Sequence, residues 1–434
     1  MKIGRMMYEL MMVGARAYAE WDISTSKRIL QSRKRLAVLG LLLIPVIFGG
    51  ICFAEEVAGA LPSILGGKNA YSPAFYTTTI FLASIAVGMT AGLITGCIGA
   101  GGGFIIAPAL MSVGVKGILA VGTDLFHIFA KAIMGSVLHR KLGNVSVSLA
   151  VVFLVGSIGG ATVGGMLNRK LYEMNPVLSD MFITTVYVFM LGFLSFYALL
   201  DFFKTRKKAA ADKAAGKEAK AAGEEIVGIA QKLQAMNIPP MLTFDEGVTP
   251  GGRRLSWIFL VLSGALVGLA AAIMGVGGGF LTFPIFVYVL GVSSATTVGT
   301  DIFQIIFTAG YAALGQYAIY GFIFYTLAMG MLLGSLIGIQ IGSLVTKVVT
   351  GPTIRGFYAV ATSAGFINRA FALPAKLSKM GYISMSSATG AMLDKVGMYI
   401  FFFVLSCFAI WVFYSFFSNI RALKGEDVGA HGHV

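Results

Sequence analysis

The sequence predicts an all-α, polytopic membrane protein built from two inverted-topology repeats with glycine-broken helices. Three observations carry that expectation. Of the 434 residues, 57% are apolar and only 12% charged, with a mean hydropathy of +0.84. That is too little charge to cover a soluble protein of this length. Apolar runs near the ~20 residues needed to cross a bilayer recur along the chain. Finally, one pattern is written twice: residues 92–108 read GLITGCIGAGGGFIIAP and residues 268–284 read GLAAAIMGVGGGFLTFP. Both fit G-L-x5-G-x-G-G-G-F-x3-P. After 12 or 13 intervening residues each copy reaches the same tetrapeptide, Val121-Gly122-Thr123-Asp124 and Val298-Gly299-Thr300-Asp301. Gly156, Gly160 and Gly164 then match Gly334, Gly338 and Gly342, and the offset stays between 176 and 178 throughout. Hydrophobic halves broken by glycine and proline at corresponding places are the sign of a duplicated transporter fold.

The elements follow in order. Residues 1–35 form a basic amphipathic lead on the cytoplasmic face, and 36–76 hold an extra transmembrane helix (36–54) and an external loop. Cys52-Phe53-Ala54 before Glu55-Glu56 resembles a signal-peptidase site, but the long basic region ahead of it favours an uncleaved anchor. The first repeat, 77–203, has apolar spans at about 77–97, 119–138, 146–168 and 180–203, with a shorter piece at 103–115. Thirteen residues of helix cover only ~20 Å, so this piece crosses with help from partners or local bilayer thinning. Residues 204–254 form a charged cytoplasmic linker, Ala/Lys/Glu-rich at first and a loop around Pro239-Pro240. The second repeat, 255–419, has spans at about 256–275, 295–319, 322–346 and 397–418, and a short piece at 279–291. An insert at 347–395 has no clear counterpart in the first half, and whether its apolar stretch 354–368 crosses decides the side of the C-terminus. A polar tail, 420–434, ends the chain.

The net charge of +14 does not point to nucleic acid, because basic residues cluster beside apolar spans. Lys27, Arg28, Arg33, Lys34 and Arg35 precede the first, and Lys204, Arg206, Lys207 and Lys208 follow the fifth long one. That is the positive-inside signal of a multi-pass protein of the cell membrane, a bacterial inner membrane. A re-entrant 103–115 would put His139-Arg140-Lys141 and the Lys204 cluster outside. A crossing keeps them inside and gives the first repeat five crossings, so the second starts from the opposite face. Cys52, Cys97 and Cys407 lie far apart in apolar segments and suggest neither a disulfide framework nor a metal site. His431 and His433 end the chain as solvated residues. No cofactor is expected. Without H-E-x-x-H, G-x-S-x-G or paired catalytic carboxylates, the chain is not expected to be an enzyme.

The glycine motif is not a nucleotide loop, since neither G-x-G-x-x-G nor G-x-x-x-x-G-K-[ST] is present. Glycine runs let a helix unwind and a substrate approach bare backbone. The helical piece restarting at Gly103 or Gly279 points unpaired N–H groups and a positive dipole end into the gap, which favours an anion. The candidate substrate-binding residues are therefore Gly99, Gly101, Gly102 and Gly103, their counterparts Gly275, Gly277, Gly278 and Gly279, and Thr123, Thr300 and Lys131. Gly156, Gly160, Gly164 and their partners are read as packing glycines. Asp124 and Asp301 are costly within a membrane and serve either ion coupling or structure. Asp124, His127 and Lys131 share a helix face at i, i+3 and i+7, where the second half has Asp301, Gln304 and Thr308. Lys131 either faces the anion or Asp124, or snorkels to the interface.

With these features the chain resembles the sulfite exporter TauE/SafE family, also described as toluene-sulfonate uptake permeases. The duplicated GAGGGF and GVGGGF breaks, Pro108 and Pro284, and the Val-Gly-Thr-Asp repeats carry the resemblance over about 77–203 and 256–346. It implies transport of sulfite, a sulfonate or a related small anion. Alternating access between the repeats is the leading expectation; the alternative is an anion channel lined by the same broken helices. Expected partners are the anion, a coupling proton or sodium ion, and the bilayer. Homodimerisation is compatible with the sequence.

Overall fold

The computed structural model describes residues 78–98, 102–141, 145–214, 228–245, 252–345, 348–349 and 351–419. The lead, the 36–54 span, the external loop, the polar tail, and Gly99 and Gly101 lie outside these residues. The described chain is almost wholly helical. The first half holds α1 (Thr78–Ile98), α2 (Gly103–Ser112), α3 (Gly117–Lys141), α4 (Val147–Met174) and α5 (Pro176–Ala214). A connecting segment holds α6 (Gly228–Ala235) and two strands, β1 (Met241–Phe244) and β2 (Arg253–Ser256). The second half holds α7 (Trp257–Met274), α8 (Gly279–Pro284), α9 (Ser294–Tyr311), α10 (Tyr325–Val345), α11 (Gly351–Lys379) and α12 (Ser387–Ser418). After Pro284 the helix continues as a wider i→i+5 turn to Leu290, and α9 is prolonged in the same way to Tyr317. Pro284 has no amide hydrogen to donate, which breaks the regular ladder at that point.

Seven described helices are long and apolar enough to cross a membrane: α1, α4, α5, α7, α9 with its extension, α10 and α12. Helix α3 has 25 residues, but Asp124, His127 and Lys131 lower its hydropathy. Outward faces are apolar, with Phe189, Phe193 and Phe196 of α5 and Phe403 and Ile410 of α12 all exposed. Such faces suit lipid and not water. This is a multi-pass membrane protein.

The halves interlock instead of standing side by side. Helix α1 packs along α10, and α4 along α7, backbone against backbone. A Cβ on Gly156, Gly160 or Gly164 would strike the backbone at Val261, Ala265 or Leu269 in turn, and Gly264 and Gly268 return the contact against Phe153 and Ser157. Gly88 and Gly92 of α1 meet Met331 and Ser335 in the same way, and Gly334, Gly338 and Gly342 meet Ile85, Met89 and Leu93. Residue numbers rise together along both pairs, so each pair is parallel. Small residues let helices approach this closely, where dispersion and weak polar contacts replace the missing hydrophobic drive. The packing role expected for Gly156, Gly160, Gly164 and their partners is what these contacts show.

Helices α3 and α9 meet in the middle and run antiparallel: Gly122 lies against Tyr317, and Gly310 against Phe129. Helices α5 and α11 also pair antiparallel, with Ser195 Oγ 2.6 Å from Ser363 Oγ and Gly356 against Phe202. The region 347–395 is therefore helical and packed over most of its length.

The connecting segment, expected as a linker and loop, folds back as a strap. Strands β1 and β2 form an antiparallel ribbon, Met241 opposite Ser256. Four-residue strands are too short to leave an alternation signal. The strap grips the turn between the broken α8 and α9. Gln234 Nε2 donates to the Leu290 carbonyl (2.8 Å), and Arg253 Nη1 to that of Gly291 (2.6 Å). Asp245 accepts from Ser293 N (2.8 Å) and Ser293 Oγ (2.9 Å). Ser293 in turn caps α9 by accepting from Thr296 N.

Candidate functional site

The two glycine breaks meet at the α3–α9 crossing. Helix α2 starts after Gly102 at φ 66° and α8 after Gly278 at φ 92°, a left-handed conformation that glycine adopts without strain. A Cβ on Gly103 would lie 3.0 Å from the Val276 carbonyl oxygen, so one break rests on the other. Gly275 and Gly277 press against Val121 and Ile128 of α3. The described motif glycines are all buried.

Breaking α7 leaves orphan carbonyls at its end. Three side chains take them up: Tyr317 donates its hydroxyl to the Ala272 carbonyl and Tyr187 to that of Met274. Asn168 Nδ2 donates to Ala272 O (3.2 Å) and Ile273 O (3.1 Å). These residues belong to α9's extension, α5 and α4, so four elements converge on one broken end.

Thr123 and Thr300 hold the other half's fourth helix. Thr123 Oγ1 accepts from Phe324 N at 3.0 Å, just ahead of α10. Thr300 Oγ1 accepts from Ser146 N at 3.0 Å, just ahead of α4. Both hydroxyls, expected to touch substrate, have a backbone amide as partner.

The acids differ between the halves. Asp301 lies against Gly279, its Oδ2 2.9 Å from where a Cβ there would stand. Its Oδ1 accepts from Gln304 Nε2 (2.9 Å); Gln304 Oε1 accepts from Thr308 Oγ1 (2.7 Å), which lies 2.7 Å from Ser157 Oγ on α4. The second-half chain is closed, and a carboxylate already sits at the start of α8, where the helix dipole stabilises negative charge. The first half is open. Asp124 and His127 are fully buried. Asp124 Oδ1 and His127 Nδ1 stand 3.6 Å apart, too far for a hydrogen bond. No side chain hydrogen-bonds these two atoms or Asp124 Oδ2, and only the Ala107 backbone N–H of α2 faces the carboxylate. His127 Nε2 lies 2.7 Å from Ser335 Oγ of α10, the counterpart of Ser157.

Lys131 does not reach for the interface. Its Nζ donates to Thr95 Oγ1 (3.2 Å) near the end of α1, and that oxygen is 2.8 Å from where a Cβ on Gly102 would stand. The ammonium is thus drawn to the break where α2 begins. The sequence reading missed Tyr187, Asn168, Ser335 and the buried Arg369, whose Nη2 donates to Ser112 Oγ at the end of α2 (2.6 Å). Ser157 and Ser335 follow matching glycines, a repeat signal that could have found them. Arg369 stands among Arg355, Lys376, Lys379 and Lys395 in the sequence, and no local pattern separates it from them. Among the described residues no cluster of His, Cys, Asp and Glu could hold a metal.

Interlocked halves, paired broken helices and buried ionisable groups define a membrane transporter. The sulfite exporter TauE/SafE family model matches residues 84–368, and the chain belongs to that family. It is 24% identical over 271 residues to the probable membrane transporter protein YjnA of Bacillus subtilis (strain 168), covering 60% of this chain and 87% of that protein. It is 33% identical over 95 residues to the probable membrane transporter protein YunE of the same organism, 22% of this chain and 35% of that one. It is also 30% identical over 115 residues to the sulfite exporter TauE/SafE family protein 6 of Arabidopsis thaliana, 25% of this chain and 27% of that one. No solved structure matches the chain.

Proposed function

We propose that this protein is a secondary transporter of a small oxyanion, sulfite or an organosulfonate, working by alternating access between two inverted repeats. The opposed directions of α3 and α9, each carrying its copy of Val-Gly-Thr-Asp, support the inverted relation. So do the cross-pairings of α1 with α10 and of α4 with α7. On this reading α11 is the fifth helix of the second repeat, partnering α5, and the region 347–395 is no insert. With α12 added, the C-terminus returns to the side of the strap.

One observation carries the choice of an anion and of its place. At the first break the start of α2 and the Lys131 ammonium converge on Thr95 and Gly102, while the start of α8 is occupied by the protein's own Asp301. A helix N-terminus and a cation beside glycine-lined backbone suit a small tetrahedral or pyramidal head group that must also leave. Asp301 then stands in the second half where the substrate anion stands in the first. The substrate-binding set is accordingly the first break with Lys131, and Thr123 and Thr300 serve as ties between the repeats.

The test is counterflow in proteoliposomes. Labelled sulfite or toluenesulfonate should enter saturably and faster when unlabelled anion is trapped inside, which a channel would not do. Flux that neither saturates nor responds to trapped anion would overturn the carrier, and no flux of any sulfur oxyanion would overturn the substrate.

A further inference from the structure

The open end of the first half's polar chain carries more than a general expectation of coupling. Ser335 Oγ lies 3.0 Å from the Gly88 carbonyl oxygen, which can only accept. With the hydroxyl donating there, Ser335 accepts from His127, an assignment that places the ring hydrogen on Nε2. A neutral imidazole has one N–H. Nδ1 then presents a bare lone pair to Asp124 Oδ1, two acceptors 3.6 Å apart, and the one other donor facing the carboxylate is the Ala107 backbone N–H of α2. Buried polar groups are rarely left so, because the desolvation cost goes uncompensated. One added proton, on the ring or on the carboxyl, satisfies both atoms and draws the pair to hydrogen-bonding distance. A hard cation such as sodium is a poor alternative, since it wants several oxygens and one side here is a ring nitrogen.

We infer that Asp124 and His127 bind one exchangeable proton between them, and that this proton is the ion moved together with the anion; the inference rests on the transporter reading above. The surroundings give the sign of the coupling. Helices α1, α2, α7 and α10 contribute no acidic or basic side chain. The charged or titratable groups within reach are Lys131 on the same face of α3 and Tyr187 on α5, with Tyr317 of the α9 extension and Arg369 of α11 beyond Tyr187. Asp301 is held on α9 by its own partner, Gln304. Lys131 disfavours a second positive charge next to it, and an anion at the first break offsets that repulsion. Anion binding therefore favours proton binding and, by linkage, the proton favours the anion. The two ions travel in the same direction.

The second half supplies the control. Gln304 donates to Asp301, so His127→Gln should copy that closed arrangement and remove the proton site without emptying the core. The experiment is anion binding by the purified full chain in lightly buffered detergent, followed with a pH-sensitive dye. The probe is toluenesulfonate, which stays ionised and takes up no proton itself. Wild type should take up close to one proton per anion bound at a pH where the dyad is empty, and its affinity should weaken up to tenfold per pH unit on the alkaline side. His127→Gln should bind with a pH-independent affinity and no proton uptake, and in proteoliposomes should keep counterflow while losing accumulation driven by a pH gradient. Asp124→Asn gives the same readout should His127→Gln not fold. Proton uptake that persists in both variants, or wild-type binding that depends on sodium and takes up no proton, overturns the dyad while leaving the anion site standing. No toluenesulfonate or sulfite binding by the wild type overturns the anion reading and the dyad's coupling role with it.

Discussion

Thr123→Val separates a structural tie from a ligand-binding residue. The substitution replaces a hydroxyl by a methyl group and leaves the Phe324 N–H without its acceptor. Phe324 is 2% exposed, so water does not replace the lost partner, and an orphaned buried donor costs about 1–3 kcal/mol. Thr300→Val removes the same bond from Ser146, whose amide lies at a half-buried helix start. Water can reach that amide, and the loss there is about 0.5–1.5 kcal/mol. A melting midpoint moves about 2–4 °C per kcal/mol for 150–250 residues, and scales inversely with size to about 1–2 °C per kcal/mol for a chain this long. Thr123→Val should therefore melt about 1–6 °C below wild type, with Thr300→Val less affected and Thr123→Ser close to wild type. The measurement is the apparent melting midpoint of the purified protein, at one scan rate, with and without saturating sulfite. Every variant should keep the wild-type upward shift with sulfite. A Thr123→Val protein that melts like wild type but has lost that shift would refute the reasoning and return Thr123 to the binding site.

Three further outcomes follow from the geometry. Lys131→Gln removes a cation beside the start of α2 and should weaken sulfite affinity about tenfold or more, read as a displaced dose–response of the thermal shift, with the unliganded midpoint little changed. Gly278→Val puts a Cβ 2.5 Å from Val267 Cγ1 at φ 92°, so its expected signature is loss of folded protein on size exclusion, not a folded protein lacking affinity. Cysteines at exposed Ser148 and Tyr320, ahead of or within the first turn of the matched helices α4 and α10, should label from opposite membrane faces; labelling from one face would remove the inverted relation.

Most of the helical frame could be read from the sequence because its signals are local and doubled. The breaks at Gly102 and Gly278 announce themselves by glycine runs with a proline five or six residues on, and the packing glycines by four-residue spacing. Helix α11 lacks both signals. Its charged residues and a short apolar stretch hid a continuous helix, because the contacts that shelter Arg369 come from α2, over 250 residues away. The strap was hidden for the same reason: Asp245 and Arg253 look like surface charges until Gly291 and Ser293 arrive to meet them. In the candidate site, sequence spacing put Asp124, His127 and Lys131 on one face. It could not show that Thr123 ties to the other half, that Asp301 lies at the start of α8, or that His127 Nε2 meets Ser335. The first and last depend on a partner in the opposite repeat, and the second on Gly279, in the same repeat but on another helix.

The parallel pairing of α1 with α10 also sets a timetable for making the protein. Gly88 touches Ser335 across 247 residues of sequence, and at about 5–20 residues per second the ribosome needs roughly 10–50 s to deliver the second after the first. For that interval α1 sits in the bilayer with a glycine-lined flank and no helix to close on it, and α4 waits likewise for α7 over a shorter span. Neither half can complete its own interior, so insertion of the first half should yield a loose intermediate that tightens only once α10 emerges. A nascent chain released before that point should be a substrate for membrane quality-control proteases, whereas the two halves expressed as separate polypeptides should rescue each other.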